Sequence, residues 1–104
     1  MSFVHLFYYV PASHLEATKN AIFAAGAGKV GNYSCAAWQV QGVGQYLPEA
    51  NSNPYLGRQG QLEKVDEYKV ETICDSKNID AVINALKSSH PYETPAYGIV
   101  AIAM

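Results

Sequence analysis

The stretch VDEYKVETICDSKNIDAVINALKSSHPYE, residues 65–93, decides the fold. From Val65 to Cys74 it alternates, with Tyr68, Val70, Thr72 and Cys74 on one side and Glu67, Lys69, Glu71 and Ile73 on the other. Alternation with period two is the pattern of a strand, and a largely polar side fits a sheet that helices cover on one face only. Ile79, Val82, Ile83 and Leu86 then fall at helical spacing, so the second half of the stretch is an amphipathic helix. It must stop before His90-Pro91, because a residue preceding proline avoids the α region.

Working outward, residues 96–104 are apolar enough to close the chain as a strand, and residues 33–41 read as another, with Ala36, Trp38 and Val40 on one face. Gly42 and Gly44 are expected to break or bulge it, with residues 45–47 continuing as a projecting arm. Phe3 to Val10 is a continuous apolar run ended by Pro11, which suits a strand buried on both faces. Ser13 and Glu16 have the spacing of a capping box, followed by Leu15, Thr18, Ile22 and Phe23 on one helical face and by Gly26 at the expected C-terminal position. Residues 48–61 are polar and rich in Asn, Gly and Pro, a long exposed loop of the kind that is usually functional or disordered. The order is βαββαβ. Two such units predict an α+β ferredoxin-like sandwich, a four-stranded antiparallel sheet with both helices on one face, in a single domain spanning 1–104.

The chain has 104 residues, 49% of them apolar and only 15% charged, against a globular norm of about 25% charged. A surface this poor in charge gains solubility by covering itself with copies of itself, so a homo-oligomer is expected. The net charge of −2 and the scattered lysines and arginines exclude a phosphate-neutralising face, hence nucleic acid, and offer no patch for anionic membrane. Domains that read RNA on this topology carry a basic and aromatic third strand, whereas Glu67 and Glu71 make this one acidic. No apolar stretch has the length of a membrane span. Cys35 and Cys74 lack CxxC spacing and read as small buried hydrophobes. A cytoplasmic location is expected.

The segment GAGKVG, residues 26–31, matches GxGxxG by letter, but it follows a helix and leads into a strand, the reverse of a dinucleotide site. It reads as a helix end and a tight turn, with an anion-holding nest helped by Lys29 as the functional alternative. Arg58 in the long loop offers a planar anion clamp. His90 and Glu93, with Glu71 on the polar sheet face, form a possible His/carboxylate metal set; the structural reading is that His90 and Tyr92 satisfy backbone groups at a turn. No serine or cysteine stands in a nucleophile motif near a histidine. An enzyme is therefore not expected.

Four blocks carry a family resemblance: GAGKVGNYS at 26–34, Asn53-Pro54 with Gly57 and Gly60, LEKV at 62–65, and HPYETPAY at 90–97. In order and spacing they resemble the domain inserted in the Nif-three-like (NGG-one-interacting-factor-three) family, a PII-like domain similar to CutA proteins. The resemblance covers essentially the whole chain. It implies a homotrimer, and it points to Gly31, Asn32, His90, Tyr92 and Glu93 as contacts. The family's dimetal site lies in flanking halves outside these residues, so its hydrolase or cyclohydrolase chemistry is not expected of them. Lys29 stands where many members have histidine, and Thr94 and Gly98 replace acidic residues near the last strand. The leading expectation is an oligomeric module binding a small ligand or a protein partner in clefts between subunits, through Lys29, Gly31, Asn32, Arg58 and Tyr92, without a cofactor. The alternatives are a CutA-like divalent-metal protein using His90 and Glu93 with Glu71, and, after that, a small enzyme.

Overall fold

The computed structural model describes residues 2–104. Six elements follow in order: β1 (Phe3–Pro11), α1 (Leu15–Ala24), β2 (Ala37–Tyr46), β3 (Glu63–Asp75), α2 (Ile79–Ser89) and β4 (Tyr97–Ile102). The sheet order is β2-β3-β1-β4, with every neighbouring pair antiparallel. This is the ferredoxin-like arrangement expected from the sequence.

The core joins one face of the sheet to both helices. Leu6, Tyr8 and Val10 of β1 and Val70 and Cys74 of β3 pack with Leu15 and Ile22 of α1 and Val82 and Leu86 of α2. The buried residues of β1 and β3 recur every second position, as the pleat requires. Tyr8 keeps its hydroxyl inside this core by donating to Thr18 Oγ1 at 3.0 Å. Burial pushes the Tyr8 phenol up to about 12, and the Thr18 bond only partly opposes that. The other face of the sheet carries no helix. His5, Phe7 and Tyr9 lie there half-buried, so β1 is buried on one face rather than two.

Local details differ from the expectations. Each helix opens with a short 3-10 turn, Ala12–His14 and Ser76–Asn78. The Ser13/Glu16 box does not form: Ser13 Oγ meets His14 Nδ1 at 2.8 Å, and α1 starts without a side-chain cap. The extra 3-10 turn displaces the helix start past Ser13, which leaves the serine outside capping reach. At the second helix Asp75 accepts from the Lys77 N–H at 3.0 Å. His90 is extended, as its proline neighbour demands. Cys35 is exposed with φ 57 in the loop before β2, and only Cys74 is buried.

Strand β2 begins at Ala37 and runs unbroken through Gly42 and Gly44 to Tyr46. It pairs with β3 from Ala37↔Thr72 to Tyr46↔Glu63, whereas β1 reaches only as far as Pro11↔Glu67. The ends of β2 and β3 therefore project past β1 as a two-stranded arm. The molecule is accordingly elongated, 46 × 24 × 22 Å.

Candidate functional site

Where the arm leaves the body, the helix-free face of the sheet becomes the floor of a cleft of about 480 Å³. Tyr9 and Glu67 form the floor, Val43 to Tyr46 one wall, Pro48, Ser52, Pro54 and Tyr55 a second, and Tyr92 to Thr94 a third. The register explains why β2 can serve as a wall. Gly42 is the partner of Glu67 across the strand pair, and two residues further along the same face of β2 a Cβ at Gly44 would run into the Glu67 carboxylate. The glycine thus leaves room for an acidic side chain to lie flat on the sheet.

The two loops over this floor are tied down by their own polar groups. Gly60 N–H donates to Pro48 C=O at 2.6 Å, Gln59 Nε2 to Ser52 C=O at 2.9 Å, and the Tyr46 hydroxyl to Leu56 C=O at 2.8 Å. The loop of residues 47–62 is a shaped structure. Glu93 joins it to the other loop by accepting from the Asn53 N–H at 3.0 Å.

His90 anchors the connection that carries Tyr92 and Glu93. Beyond its last pairing with β4 at Tyr8↔Tyr97, β1 sends the Tyr9 N–H to Ala96 C=O at 3.2 Å. The neighbouring Tyr9 carbonyl receives His90 Nε2 at 2.7 Å, and His90 Nδ1 accepts from the Tyr92 N–H at 3.1 Å. The pair of bonds fixes the tautomer as Nε2–H. His90 is only 7% exposed, and burial pushes its pKa down, with the Tyr9 bond opposing and the nearby His14 adding to the fall.

The Tyr92 hydroxyl donates to Glu67 Oε2 at 3.4 Å. Burial raises the Glu67 pKa, and the Tyr92 bond offsets part of the rise. Burial, with the Glu67 charge second, holds the Tyr92 phenol well above its ordinary value. Tyr46 is raised too, by burial and then by Glu63. The ring of Tyr92 lies 5.8 Å from that of Tyr46 and 6.4 Å from that of Tyr55, and Tyr55 also meets His14 edge-on at 5.5 Å. No lysine or arginine is among the residues lining the cleft.

The residues singled out from the sequence divide accordingly. Tyr92 lines the cleft, and Glu93 lines it while bracing a loop. Lys29, Gly31 and Asn32 do not belong to it. They are exposed in the turn after α1, where Gly28 N–H bonds Ile73 C=O, at the far end of β3 from Glu67, about 20 Å along the strand. Arg58 is exposed in the long loop and does not line the cleft. The anion set is therefore not one site. The metal set also fails to assemble: both His90 ring nitrogens are engaged with backbone, and Glu71 lies out on the open sheet face, 3.1 Å from His5 Nε2 and 3.9 Å from Lys69 Nζ. Among the described residues no group of three His, Cys, Asp or Glu is placed to hold a metal ion. The sequence reading missed Glu67, Tyr9, Tyr46 and Tyr55 as site residues. Glu67 alone gave a signal, as a carboxylate on a sheet face opposite glycines.

No family model matches the chain. Among curated relatives, the GTP cyclohydrolase 1 type 2 homolog of Mycobacterium leprae is 42% identical over 94 residues, covering 90% of this chain and 24% of that protein. The protein of the same name from Halalkalibacterium halodurans is 41% identical over 102 residues, covering 98% of this chain and 27% of the relative. The chain thus spans about a quarter of the length of the curated relatives it matches. Among solved structures, the Bacillus cereus protein related to NIF3 superposes with a TM-score of 0.85 at 33% identity over 99% of this chain and 26% of that one. CutA from Xylella fastidiosa superposes with a TM-score of 0.70 over 100% of this chain and 86% of its own, at 17% identity, a likeness of fold alone.

Proposed function

Because the chain is related, through one segment of its members, to the Nif-three-like family, we propose that it is a self-assembling binding module whose cleft takes a small ligand. The observation that carries the assembly half is strand β2. It is an edge of the sheet, ten residues long, exposed along most of its length, and AWQVQGVGQY contains no charge and no proline. Natural edges left open are blunted by lysine, proline or shortness, and β2 has none of these devices. It also presents Trp38, 60% exposed, and Val40 and Val43. The opposite edge, β4, is likewise bare and exposes Ile99 and Val100. A head-to-tail contact between two unlike edges closes a ring when the rotation allows. Three copies are the number that the CutA-like resemblance implies.

On this reading the work of the module is recognition and assembly, and the state of two candidate reactive side chains supports it. His90, the buried imidazole beside the cleft, has both nitrogens committed to backbone, and the Cys74 thiol is buried with its pKa raised by desolvation. Two unpaired cysteines suit a reducing compartment, consistent with a cytoplasmic setting, and among the described residues no helix is long and apolar enough to cross a membrane.

Light scattering on the eluting peak of a sizing column tests the assembly. The expected mass is that of three chains, and Val40→Glu should lower it to one while preserving the circular dichroism spectrum. Val40 lies directly opposite Lys69 on β3, so the new glutamate gains a cross-strand partner within its own chain and only the contact between copies is lost. A wild-type protein that elutes as one chain at tens of micromolar overturns the reading.

A further inference from the structure

The chemistry of the cleft is one-sided. Its lining includes the rings of Tyr9, Tyr46, Tyr55 and Tyr92, and the charged groups among its lining residues are the carboxylates of Glu67 and Glu93. Glu93 is occupied with the Asn53 N–H. Glu67 is not matched in this way: it has one tyrosine donor and, among the described residues, no ion-pair partner. A partly desolvated carboxylate without a counter-charge is unfavourable to keep, and Gly44 is the residue that makes space for it. Aromatic faces carry negative potential and attract ammonium groups within about 6 Å of the ring centroid. Two features that both favour positive charge therefore converge on one enclosure. Among the described residues nothing basic lines it to hold a phosphate or carboxylate. An inorganic divalent ion finds too few ligands, since no three-residue donor set exists among the described residues. The volume, about 480 Å³, lies within the range of small-molecule pockets.

We propose that this cleft takes a small organic cation, its ammonium group seated among the rings of Tyr9, Tyr46, Tyr55 and Tyr92 and paired with the Glu67 carboxylate. The assignment rests on the cleft being a ligand site and adds the class of ligand. In the bound state Glu67 receives the counter-charge it lacks, and the Tyr92 hydroxyl holds the carboxylate in place. Gly44 is then a positioning residue for Glu67, while Tyr92 both lines the site and holds the carboxylate.

The test uses the full chain in its native assembly, titrated at neutral pH with choline, with the uncharged carbon analogue 3,3-dimethyl-1-butanol, and with inorganic phosphate. Binding is read by isothermal calorimetry and by the ring resonances of the tyrosines, with the mass of the assembly measured on the same samples. Choline should bind and shift the Tyr46, Tyr55 and Tyr92 rings, while the neutral analogue and phosphate bind at least tenfold more weakly. Glu67→Gln should lower choline affinity at least tenfold, and Tyr55→Leu, at the half-exposed wall, several-fold without loss of fold. Choline that leaves the rings unmoved, a neutral analogue that binds equally well, or a Glu67→Gln protein with unchanged affinity would each overturn the cation assignment. If the assembly mass is intact in those cases, the module reading stands without it. A neutral analogue that binds as tightly as choline would mean that the cleft is a site of apolar specificity.

Discussion

Replacing His90 by alanine removes the one ring that closes two backbone gaps. The Tyr9 carbonyl lies past the end of β4 and receives His90 Nε2 at 2.7 Å, and the Tyr92 N–H is satisfied by His90 Nδ1 at 3.1 Å. Each such bond is worth about 1 kcal/mol net, and a buried carbonyl left without a partner costs about 1–3 kcal/mol. The substitution should therefore destabilise the fold by about 3 kcal/mol, which for a domain of this size lowers Tm by roughly 10–25 °C. Urea and thermal unfolding followed through the single tryptophan, Trp38, measure it, at fixed protomer concentration because assembly shifts apparent stability. The ring also imposes a pH dependence. Its pKa is pushed below 6.5 in the folded state, chiefly by burial, so the folded chain holds fewer protons than the unfolded one between those values. The stabilisation is complete above pH 6.5 and is lost as the pH falls toward the folded value; His90→Asn should lack that loss. A His90→Ala chain within about 0.5 kcal/mol of wild type would refute this account of the ring, and so would a metal chelator that lowered wild-type stability by the same amount as the substitution.

Glu67 has the opposite sign. Its pKa is raised by burial, so its ionisation works against folding above the folded value and is silent below about 4.5; Glu67→Gln should stabilise the chain at neutral pH, with the difference vanishing in chemical unfolding below pH 4. Gly44→Ala places a Cβ against the Glu67 carboxylate, the far end of a flexible, half-buried side chain that can swing aside. It should therefore change stability by less than about 1 kcal/mol in urea unfolding while weakening choline binding. Tyr8→Phe deletes the donor to Thr18 Oγ1 inside an otherwise filled core and should cost about 1 kcal/mol; a neutral result would mean that the hydroxyl contributes nothing there.

The fold was legible because its signals are local. The alternation from Val65 to Cys74 and the stripe at Ile79, Val82, Ile83 and Leu86 each fix which side is buried, and both match the observed core. Proline at 91 and glycine at 26 marked helix ends for steric reasons that need no tertiary context. The capping box at Ser13 failed because its four-residue signal cannot register a preceding 3-10 turn. The apolar run from Phe3 to Val10 suggested burial on both sides because aromatic residues are read as core, yet His5, Phe7 and Tyr9 lie on the uncovered face. The site was less visible. Glu67, Tyr9, Tyr46, Tyr55 and Tyr92 come from five separate segments, and only strand register and the folding of two loops over the arm bring them together. Lys29 and Arg58 were conspicuous as cations beside glycines, but spacing along the chain carries no information about which end of a sheet a loop reaches. His90 looked like a ligand because its two nitrogens are chemically able to be one. Its actual partners are backbone atoms, which leave no trace in side-chain patterns.

The most direct measurement is hydrogen exchange of the β2 amides in the wild type and in Val40→Glu, at a concentration where the wild type is fully assembled. An edge strand covered by another copy should hold its outward-pointing N–H groups, across Gln39 to Val43, protected to the same degree as the central strands β1 and β3, and Val40→Glu should release them to fast exchange while β1 and β3 stay protected. Equally fast exchange of those amides in both proteins would contradict an edge built to be covered, and with it the claim that this chain works as an assembly of copies.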